Sequence, residues 1–497
     1  GEPPASPWGA DSLTVSPFVP DRLRRGDVLL AETNGEWVVH RLVARKTRHA
    51  SLWVVTRGDN AFCDDPPAPL DAVRGKVTGI CRNGRRIPIP EKIPETDLDE
   101  TLLLASLPCP GMPPLESLPL PRRLSWETFV ESAVAEGLAP LICENNRDLI
   151  ANGRIPGQAA SHLEEAWLSS VARAGLSQQA LHDIAGLLSG LDAIPLKGAY
   201  LASRVYSSPT LRPFSDMDIL VRRRDFGAAA DRLARAGFRQ ESRVDLSAGM
   251  PPVSAYLNSA VFRQSQGGPS TPLRAGLAIH VHWHLLNSIR PLFLSAAMNM
   301  DNVWESARRH HPPFVELCPE HLIIHLAAHA AQHSFDRLIL IRDLAEVVEK
   351  FRDDIDWSKL AADSETFNLP RVVYYSLLLA ARKTAADIPA TALEALAPRN
   401  PGLFDRLFLK LAKTGARRSE LGPLIFVCQA TSWRERARLA CHMAFPPRSV
   451  LAHAYNREPD RIGVMAYVRR LIRGVRGASL AAGRSLGRAL RGRRLVG

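Results

Sequence analysis

The residues best spaced for chemistry are two aspartates, Asp216 and Asp218, which open an apolar run ending at Val221. Because side chains alternate along a strand, such a pair places both carboxylates on one face. Two carboxylates in this arrangement can hold one or two Mg²⁺ ions, which bridge triphosphate oxygens during an in-line displacement. Lys197 and Arg212 can add cationic contacts to phosphates. The spacing therefore indicates phosphate chemistry, but a solvated pair at a strand start gives the same pattern.

Two sets of histidines recur at regular spacing. His280, His282 and His284 alternate along a second predicted strand, 278–283, and can face one side of it, where Zn²⁺ or Mn²⁺ would bind. The simpler interpretation, which we favour, gives His282 a structural role and leaves the other two incidental.

The second set recurs every four residues on a predicted helix: His321, His325, His329 and His333. It lacks the Glu of an H-E-x-x-H metal site. A packed or partly solvated helix face is the favoured interpretation. A more specific alternative is that one of these imidazoles reaches a nucleotide pocket.

These groups must be positioned by both strands and helices, and we predict the α+β class. The apolar periodicity predicts a strand over 216–221, a helix over 225–237 that closes at Gly237, and further helices over 319–385. The predicted segments are a β-rich module at 1–90, a Pro-rich linker at 91–122, a main domain at 123–400, a helical extension at 401–460 and an Arg-rich tail at 461–497.

The central part of the chain carries a family resemblance. The segment LKGAYLASRVYSSPTLRPFSDMDILV, a helix ending in AGF and a strand with HW together resemble the uncharacterised nucleotidyltransferase family, part of the polymerase-β-like nucleotidyltransferase superfamily. The resemblance covers roughly 125–385. It implies transfer of a nucleotidyl group from an NTP to an unidentified acceptor, which is a small molecule, peptide or protein, with Mg²⁺ or Mn²⁺ as cofactor.

The resemblance also implies residue roles. Asp216 and Asp218 match the catalytic metal ligands, whereas Lys197, Gly198 and Arg212 match the positions that contact the nucleotide.

The chain departs from the superfamily pattern at the third carboxylate. Aligning the His-Trp pair puts His280 at that position, as a third metal ligand beside Asp216 and Asp218. Mg²⁺ prefers oxygen ligands. Either the site uses another acid, accepts the imidazole with a different metal, or has lost full catalysis.

Residues 22–90 resemble the S24/S26 peptidase fold of signal peptidases and LexA-type repressors. The segments RRGDVLLAETNGEWVVHRLV and WVVTRGDN carry the similarity. His40 matches the general base, with Asp59 or Asp65 as its orienting acid. The nucleophile position is occupied by Pro4, so we expect a degenerate or truncated module. The transferase function has two alternatives. The chain is either a serine peptidase that uses an upstream Ser, or a non-catalytic nucleotide-binding protein.

The composition sets outer limits on function. Apolar residues make up 46% and charged residues 23% of the 497, which argues against wholesale disorder. Ten arginines lie between Arg461 and the last residue, Arg461 included, and without them the net charge of +12 falls to +2. That tail can bind an anionic membrane surface or nucleic acid, or remain solvated. The seven dispersed cysteines, and the lack of an apolar membrane span or signal peptide, predict a cytoplasmic protein, with peripheral membrane association through the tail as an option.

Overall fold

The structure is a computed structural model with two compact units, residues 1–97 with 448–463, and residues 98–447 with 464–497. It describes residues 12–18, 20, 23, 27–33, 36–48, 51–57, 68–82, 85–87, 103, 107, 126–214, 216–240, 258–264, 278–286, 297–309, 314–384, 386–413, 425, 428–430, 432–446, 448, 451 and 462–468.

The described part of the first unit is an antiparallel sheet. Its strands are β1 (Ser12–Ser16), β2 (Val28–Thr33), β3 (Glu36–Arg48), β4 (Ser51–Arg57), β5 (Ala68–Pro69), β6 (Val73–Arg82) and β7 (Arg85–Ile87). The order is β1-β6-β2-β3-β4-β5, with β7 paired to β6. Leu29, Leu42 and Val54 are buried between these strands. The short apolar runs separated by turn residues predicted this β-rich segment correctly.

The second unit combines a mixed five-stranded sheet with many helices. Its strands are β8 (Ala193–Pro195), β9 (Asp216–Val221), β10 (Phe238–Gln240), β11 (Ser259–Gln264) and β12 (Ala278–His282). The order is β10-β11-β12-β9-β8. Only β12 and β9 run parallel among these pairs of described strands.

The helices of this unit flank the sheet and form a separate helical layer. They are α1 (Trp126–Ala135), α2 (Ala139–Asn145), α3 (Arg147–Ala151), α4 (Gly157–Leu187), α5 (Lys197–Tyr200), α6 (Phe226–Arg235), α7 (Met300–Glu305), α8 (Pro319–Gln332), α9 (Leu338–Lys350), α10 (Trp357–Thr366), α11 (Pro370–Thr384), α12 (Ala390–Leu396), α13 (Leu403–Lys413) and α14 (Trp433–Ala444). The prediction of a mixed α and β protein is confirmed.

The two faces of the second sheet differ in what they bury. Met217 and Ile219 of β9 point to one face and pack with Ile184 of α4 and Phe226 of α6. On the other face, Leu220 joins the large core of the helical layer. Because side chains alternate, Asp216 and Asp218 share the face of Leu220. The carboxylates therefore lie on the side of the sheet that faces the helical layer.

A local signal sets the end of α6 as predicted. α6 ends just before Gly237, whose φ of +89° lies in the left-handed region that glycine adopts without steric cost. The predicted helices over 319–385 correspond to α8 through α11.

Among the described helices, none combines the length and apolar character needed to cross a bilayer.

Candidate functional site

The site is built where the parallel strands β9 and β12 lie side by side. Their register pairs Asp218 with His280, and Leu220 with His282. Residues opposite each other in a ladder point to the same face, so the two histidines share the face of the aspartates. His280 therefore lies directly beside the aspartate pair, on the neighbouring strand.

The turn that follows β8 brings Lys197 to the same face. Leu196 N donates to the backbone oxygen of Asp218 at 2.8 Å, which extends the ladder to the end of the turn. Lys197 itself has a φ of +48°, a left-handed conformation that costs a non-glycine residue about 1 kcal/mol or more. Its ammonium then donates to Asp218 Oδ1 at 2.8 Å.

Glycine is required at position 198 because the turn passes close to Phe214. A Cβ atom placed on Gly198 would lie 2.5 Å from Cβ of Phe214. Since both Cβ atoms are fixed to backbone, neither can turn away by a rotamer change. A π-helical turn over Leu201–Val205 follows α5 directly. Single π-helical turns of this kind occur often at functional sites.

Asp218 is the most tightly held group of the site. Its side chain is only 4% exposed, and its Oδ1 accepts from the Lys197 ammonium and lies 2.6 Å from Nε2 of His282. Burial alone would raise the pKa of this carboxyl, but Lys197 and His282 outweigh burial and hold the pKa well below its usual range. Asp218 is therefore a buried carboxylate that carries its negative charge at neutral pH.

His282 orients that carboxylate through a fixed hydrogen-bond chain. Its Nδ1 lies 3.4 Å from Nδ2 of Asn258, an amide nitrogen that can only donate. Nδ1 therefore accepts, and Nε2 carries the proton that it donates to Asp218. Burial and the Lys197 charge lower the pKa of His282, which keeps the ring neutral. Trp283, the next residue, packs against Phe226 at a ring separation of 4.9 Å.

His280 lies at the open edge of the group. Its Nδ1 is 3.8 Å from Oδ2 of Asp216 and 3.9 Å from Oδ1 of Asp218. Among the described residues, one cluster of three or more metal-ligating side chains brings its donor atoms within 4.8 Å of each other: Asp218, His280 and His282. Two donors about 2.1 Å from one ion lie at most about 4.2 Å apart, and both His280 separations are below this limit. The spacing of this cluster fits a divalent ion, and Asp216 lies outside the cluster but within 3.8 Å of His280.

His284 does not belong to this group, so the expectation that three histidines alternate along one strand was wrong. β12 ends at His282, and the chain then bends. Nδ1 of His284 accepts from Leu286 N at 3.0 Å, while its carbonyl accepts from Asn258. Burial lowers the pKa of His284 to about 4. Because the backbone bends after His282, the His284 side chain makes a local hydrogen bond and does not join the carboxylate group.

Arg212 was assigned from the sequence to the phosphates, but the structure places its guanidinium in a buried ion pair. Nε and Nη2 donate to the two carboxylate oxygens of Asp343 on α9, at 2.6 and 2.7 Å. Nη1 donates to the carbonyl of Pro213. The hydroxyl of Tyr206 donates to the same carboxylate at 2.9 Å. Burial would lower the pKa of Arg212, but Asp343 raises it overall. Arg212 thus ties the segment before β9 to the helical layer.

Two histidines of α8, His325 and His329, are close enough to the site for the charges of Lys197 and Asp218 to affect their pKa values. Burial first, and then the charge of Lys197, lower the pKa of His325 to about 3 and that of His329 well below its usual range. Neither ring nitrogen of His325 makes a hydrogen bond of ordinary geometry to a described residue. The Leu285 backbone raises the pKa of this histidine only slightly. Two members of the helical histidine set are therefore electrostatically coupled to the site.

The structure thus brings together Asp216, Asp218, Lys197, Gly198 and His280. It adds partners that the sequence did not single out. Asn258 gave no signal, because its role depends on the position of β11 beside β12. Asp343 did carry one, since an acid within the apolar run LILIRDLAEVV requires a buried partner.

The peptidase-like prediction for the N-terminal unit stays a prediction. His40 lies on β3, opposite Leu29 of β2. Asp59, Asp65 and the nucleophile position at Pro4 lie outside the described residues. The same holds for most of the Arg-rich tail, of which residues 462–468 are described. Its predicted binding to anionic membranes or nucleic acid is untested.

Comparison with known proteins places the second unit in a family. Residues 122–384 match the model of a family described as uncharacterised nucleotidyltransferase. No curated protein and no solved structure matches the chain. The matched segment contains β8, β9, β12 and α8, and with them every group of the site described above. Because the match spans just over half of the chain, this protein belongs to the uncharacterised nucleotidyltransferase family.

Proposed function

We propose that the face formed by β9 and β12 transfers a nucleotidyl group from an NTP to an acceptor hydroxyl. The observation that carries this proposal is the juxtaposition of Asp216 and Asp218 with His280 across the parallel register, beside a lysine on a strained turn. This arrangement offers carboxylates and an imidazole for a divalent ion, together with an ammonium for phosphate oxygens.

Asp216 and Asp218 are the residues that would hold the ion, with His280 as a further ligand. When bound, the ion neutralises charge on the phosphates and favours attack at the α-phosphorus. The chain itself prepares Asp218 for this role, because Lys197 and His282 keep it ionised although it is buried. Asp216 is more exposed, at 40%, and faces the side from which a nucleotide would arrive.

Lys197 would contact the triphosphate directly, whereas Gly198 would act by shaping the turn that carries it. The Lys197 side chain is 19% exposed and reaches Asp218 from the turn. An ion bound at the carboxylates would compete with Lys197 for Asp218. The ammonium of Lys197 would then be available to phosphate oxygens. Gly198 permits the turn to pack on Phe214, and that packing fixes the direction of the lysine.

Arg212 is a positioning residue in this proposal. Its bidentate pair with Asp343 and its bond to Pro213 anchor the chain shortly before Asp216.

Calorimetric titration of each NTP, with Mg²⁺ or Mn²⁺, tests the proposal on the full chain. We expect metal-dependent binding to the native protein and its loss in Asp216→Asn/Asp218→Asn. Asp231→Asn is the matched control, because this aspartate is exposed on α6, whose packed face lies on the other side of the sheet. The control should bind as the native protein does.

Three results would contradict the proposal. Absence of NTP binding with either ion would remove the nucleotide site altogether. Unchanged binding in the double variant would place the nucleotide elsewhere. Retained metal-dependent binding without pyrophosphate release for any acceptor would favour the second candidate, a non-catalytic nucleotide-binding protein, which His280 in place of a carboxylate also favours.

A further inference from the structure

We propose that His280 makes this a site for a divalent transition ion, Mn²⁺ in preference to Mg²⁺. The inference rests on the proposed function and specifies the ion that the nucleotide site takes. It comes from the position of one imidazole nitrogen relative to two carboxylates.

The position of His280 is set by the fold and not by a flexible loop. It is the central residue of β12, with Asp218 opposite it in the ladder and Val261 of β11 on its other side. Its neighbours Ile279 and Val281 are buried in the core on the far face of the sheet. The imidazole is thus held at the carboxylate face by packing on both sides of the strand.

The donor atoms leave room for an ion but not for a hydrogen bond. Nδ1 of His280 lies 3.8 and 3.9 Å from the nearest oxygens of Asp216 and Asp218. Those separations exceed hydrogen-bond range, yet they lie within the span of two ligands on one ion. In contrast, Nε2 of His282 is engaged 2.6 Å from Asp218 and acts through that carboxylate. His280 is therefore the nitrogen positioned to complete a mixed oxygen and nitrogen ligand set.

A nitrogen ligand changes which ion the site favours. Mg²⁺ is a hard cation that takes oxygen ligands and holds its water tightly. An imidazole in place of a carboxylate therefore weakens Mg²⁺ binding for two reasons: nitrogen is a softer donor than oxygen, and the neutral ring removes a negative charge. Mn²⁺ accepts the same oxygen ligands and phosphate oxygens. Because it is softer and less strongly hydrated than Mg²⁺, it loses less affinity when an imidazole replaces a carboxylate. The carboxylates retain the affinity for a phosphate-binding ion, while His280 shifts the selectivity.

The test combines calorimetry with pulsed EPR on the full chain, using Mn²⁺ and Mg²⁺ alone and with ATP as probes. We expect Mn²⁺ to bind at least about tenfold more tightly than Mg²⁺. Electron spin-echo modulation of bound Mn²⁺ should show a directly coordinated ¹⁴N nucleus. In His280→Asp the preference for Mn²⁺ should shrink as Mg²⁺ affinity rises, and the nitrogen signal should vanish. His182→Asp, an exposed histidine on α4, is the matched control and should leave both readouts unchanged.

The outcomes separate this inference from the function on which it rests. Equal affinity for the two ions, or absence of nitrogen modulation in the native protein, overturns the inference while metal-dependent NTP binding would still support the transferase. Nitrogen modulation that survives in His280→Asp would assign the ligand to His282 and also overturn it. Failure of both ions to support the binding of any NTP would overturn the proposed function itself. The native-protein measurements need no variant, so a poorly folded His280→Asp would not leave the question undecided.

Discussion

Two buried ion pairs each include a residue on β9 or shortly before it, but they are built differently. Arg212 and Asp343 form a bidentate pair in which each carboxylate oxygen accepts from the guanidinium, and Tyr206 adds a third donor. Asp218 instead receives a single ammonium contact from Lys197, with His282 on the same oxygen. The first pair is more buried on its cationic side, at 8% exposure against 19% for Lys197. From this comparison we expect the Arg212 pair to stabilise the fold and the Lys197 pair to exchange its lysine for a bound ion.

Breaking the first pair should give the largest effect. Asp343→Ala leaves the Arg212 charge buried without its partner, and we expect a loss of about 3–5 kcal/mol in the free energy of unfolding. Urea titration followed by circular dichroism measures this loss. Glu144→Ala, which removes the partner of Arg147 in an exposed pair, is the matched control and should cost at most about 1 kcal/mol.

A double variant sharpens the assignment of Arg212. Arg212→Met with Asp343→Leu removes both charges, and we expect it to regain most of the lost stability and to keep metal-dependent NTP binding. A stable double variant that no longer binds NTP would show that Arg212 contacts phosphate, against our assignment.

Removing the lysine of the second pair should have an effect that an ion can reverse. Without divalent ions, Lys197→Met should lower the free energy of unfolding by about 3 kcal/mol, because Asp218 keeps a buried charge. Added Mn²⁺ should recover much of this loss, since binding to the folded state stabilises it. Lys350→Met at the exposed end of α9 is the control, with a change within about 1 kcal/mol and no metal dependence. A loss of stability that Mn²⁺ leaves untouched would mean that the two pairs are of the same structural kind.

The turn that carries Lys197 should tolerate little change. Gly198→Ala drives a Cβ against Phe214, and we expect a loss of about 1–3 kcal/mol together with weaker NTP binding. Gly175→Ala, inside α4 with open space around it, should instead stabilise the protein by up to about 1 kcal/mol. Thermal melts of the two variants provide the comparison, and equal behaviour would remove the close approach from the explanation.

The buried histidine behind the second pair predicts a smaller effect that depends on pH. His325 has a pKa of about 3 in the folded state against 6.5 for an ordinary histidine, so the unfolded chain takes up its proton first. Its stabilising contribution is complete above about pH 6.5 and declines at about 1.4 kcal/mol per pH unit below it, until about pH 3. His325→Leu should flatten this dependence in urea titrations between pH 7.5 and 4.5. An unchanged slope would show that other groups dominate it.

The sequence predicted local features well because local chemistry determines them. The alternation around Asp216 and Asp218 predicted β9, and Gly237 marked the end of α6. The pairing of Arg212 with Asp343 joins residues 131 positions apart, so no local spacing reveals it. His284 was placed on the strand for a related reason, since a local pattern of alternation does not show where the backbone bends.

The central claim is that a nucleotide and its ion bind at the β9–β12 face. Anomalous diffraction at the manganese edge, from crystals grown with Mn²⁺ and a non-hydrolysable ATP analogue, tests it most directly. We predict an anomalous peak in contact with Asp216, Asp218 and His280, with triphosphate oxygens on the same ion and Lys197 turned toward a phosphate. A peak remote from these residues, or a nucleotide bound away from this face, would contradict the account.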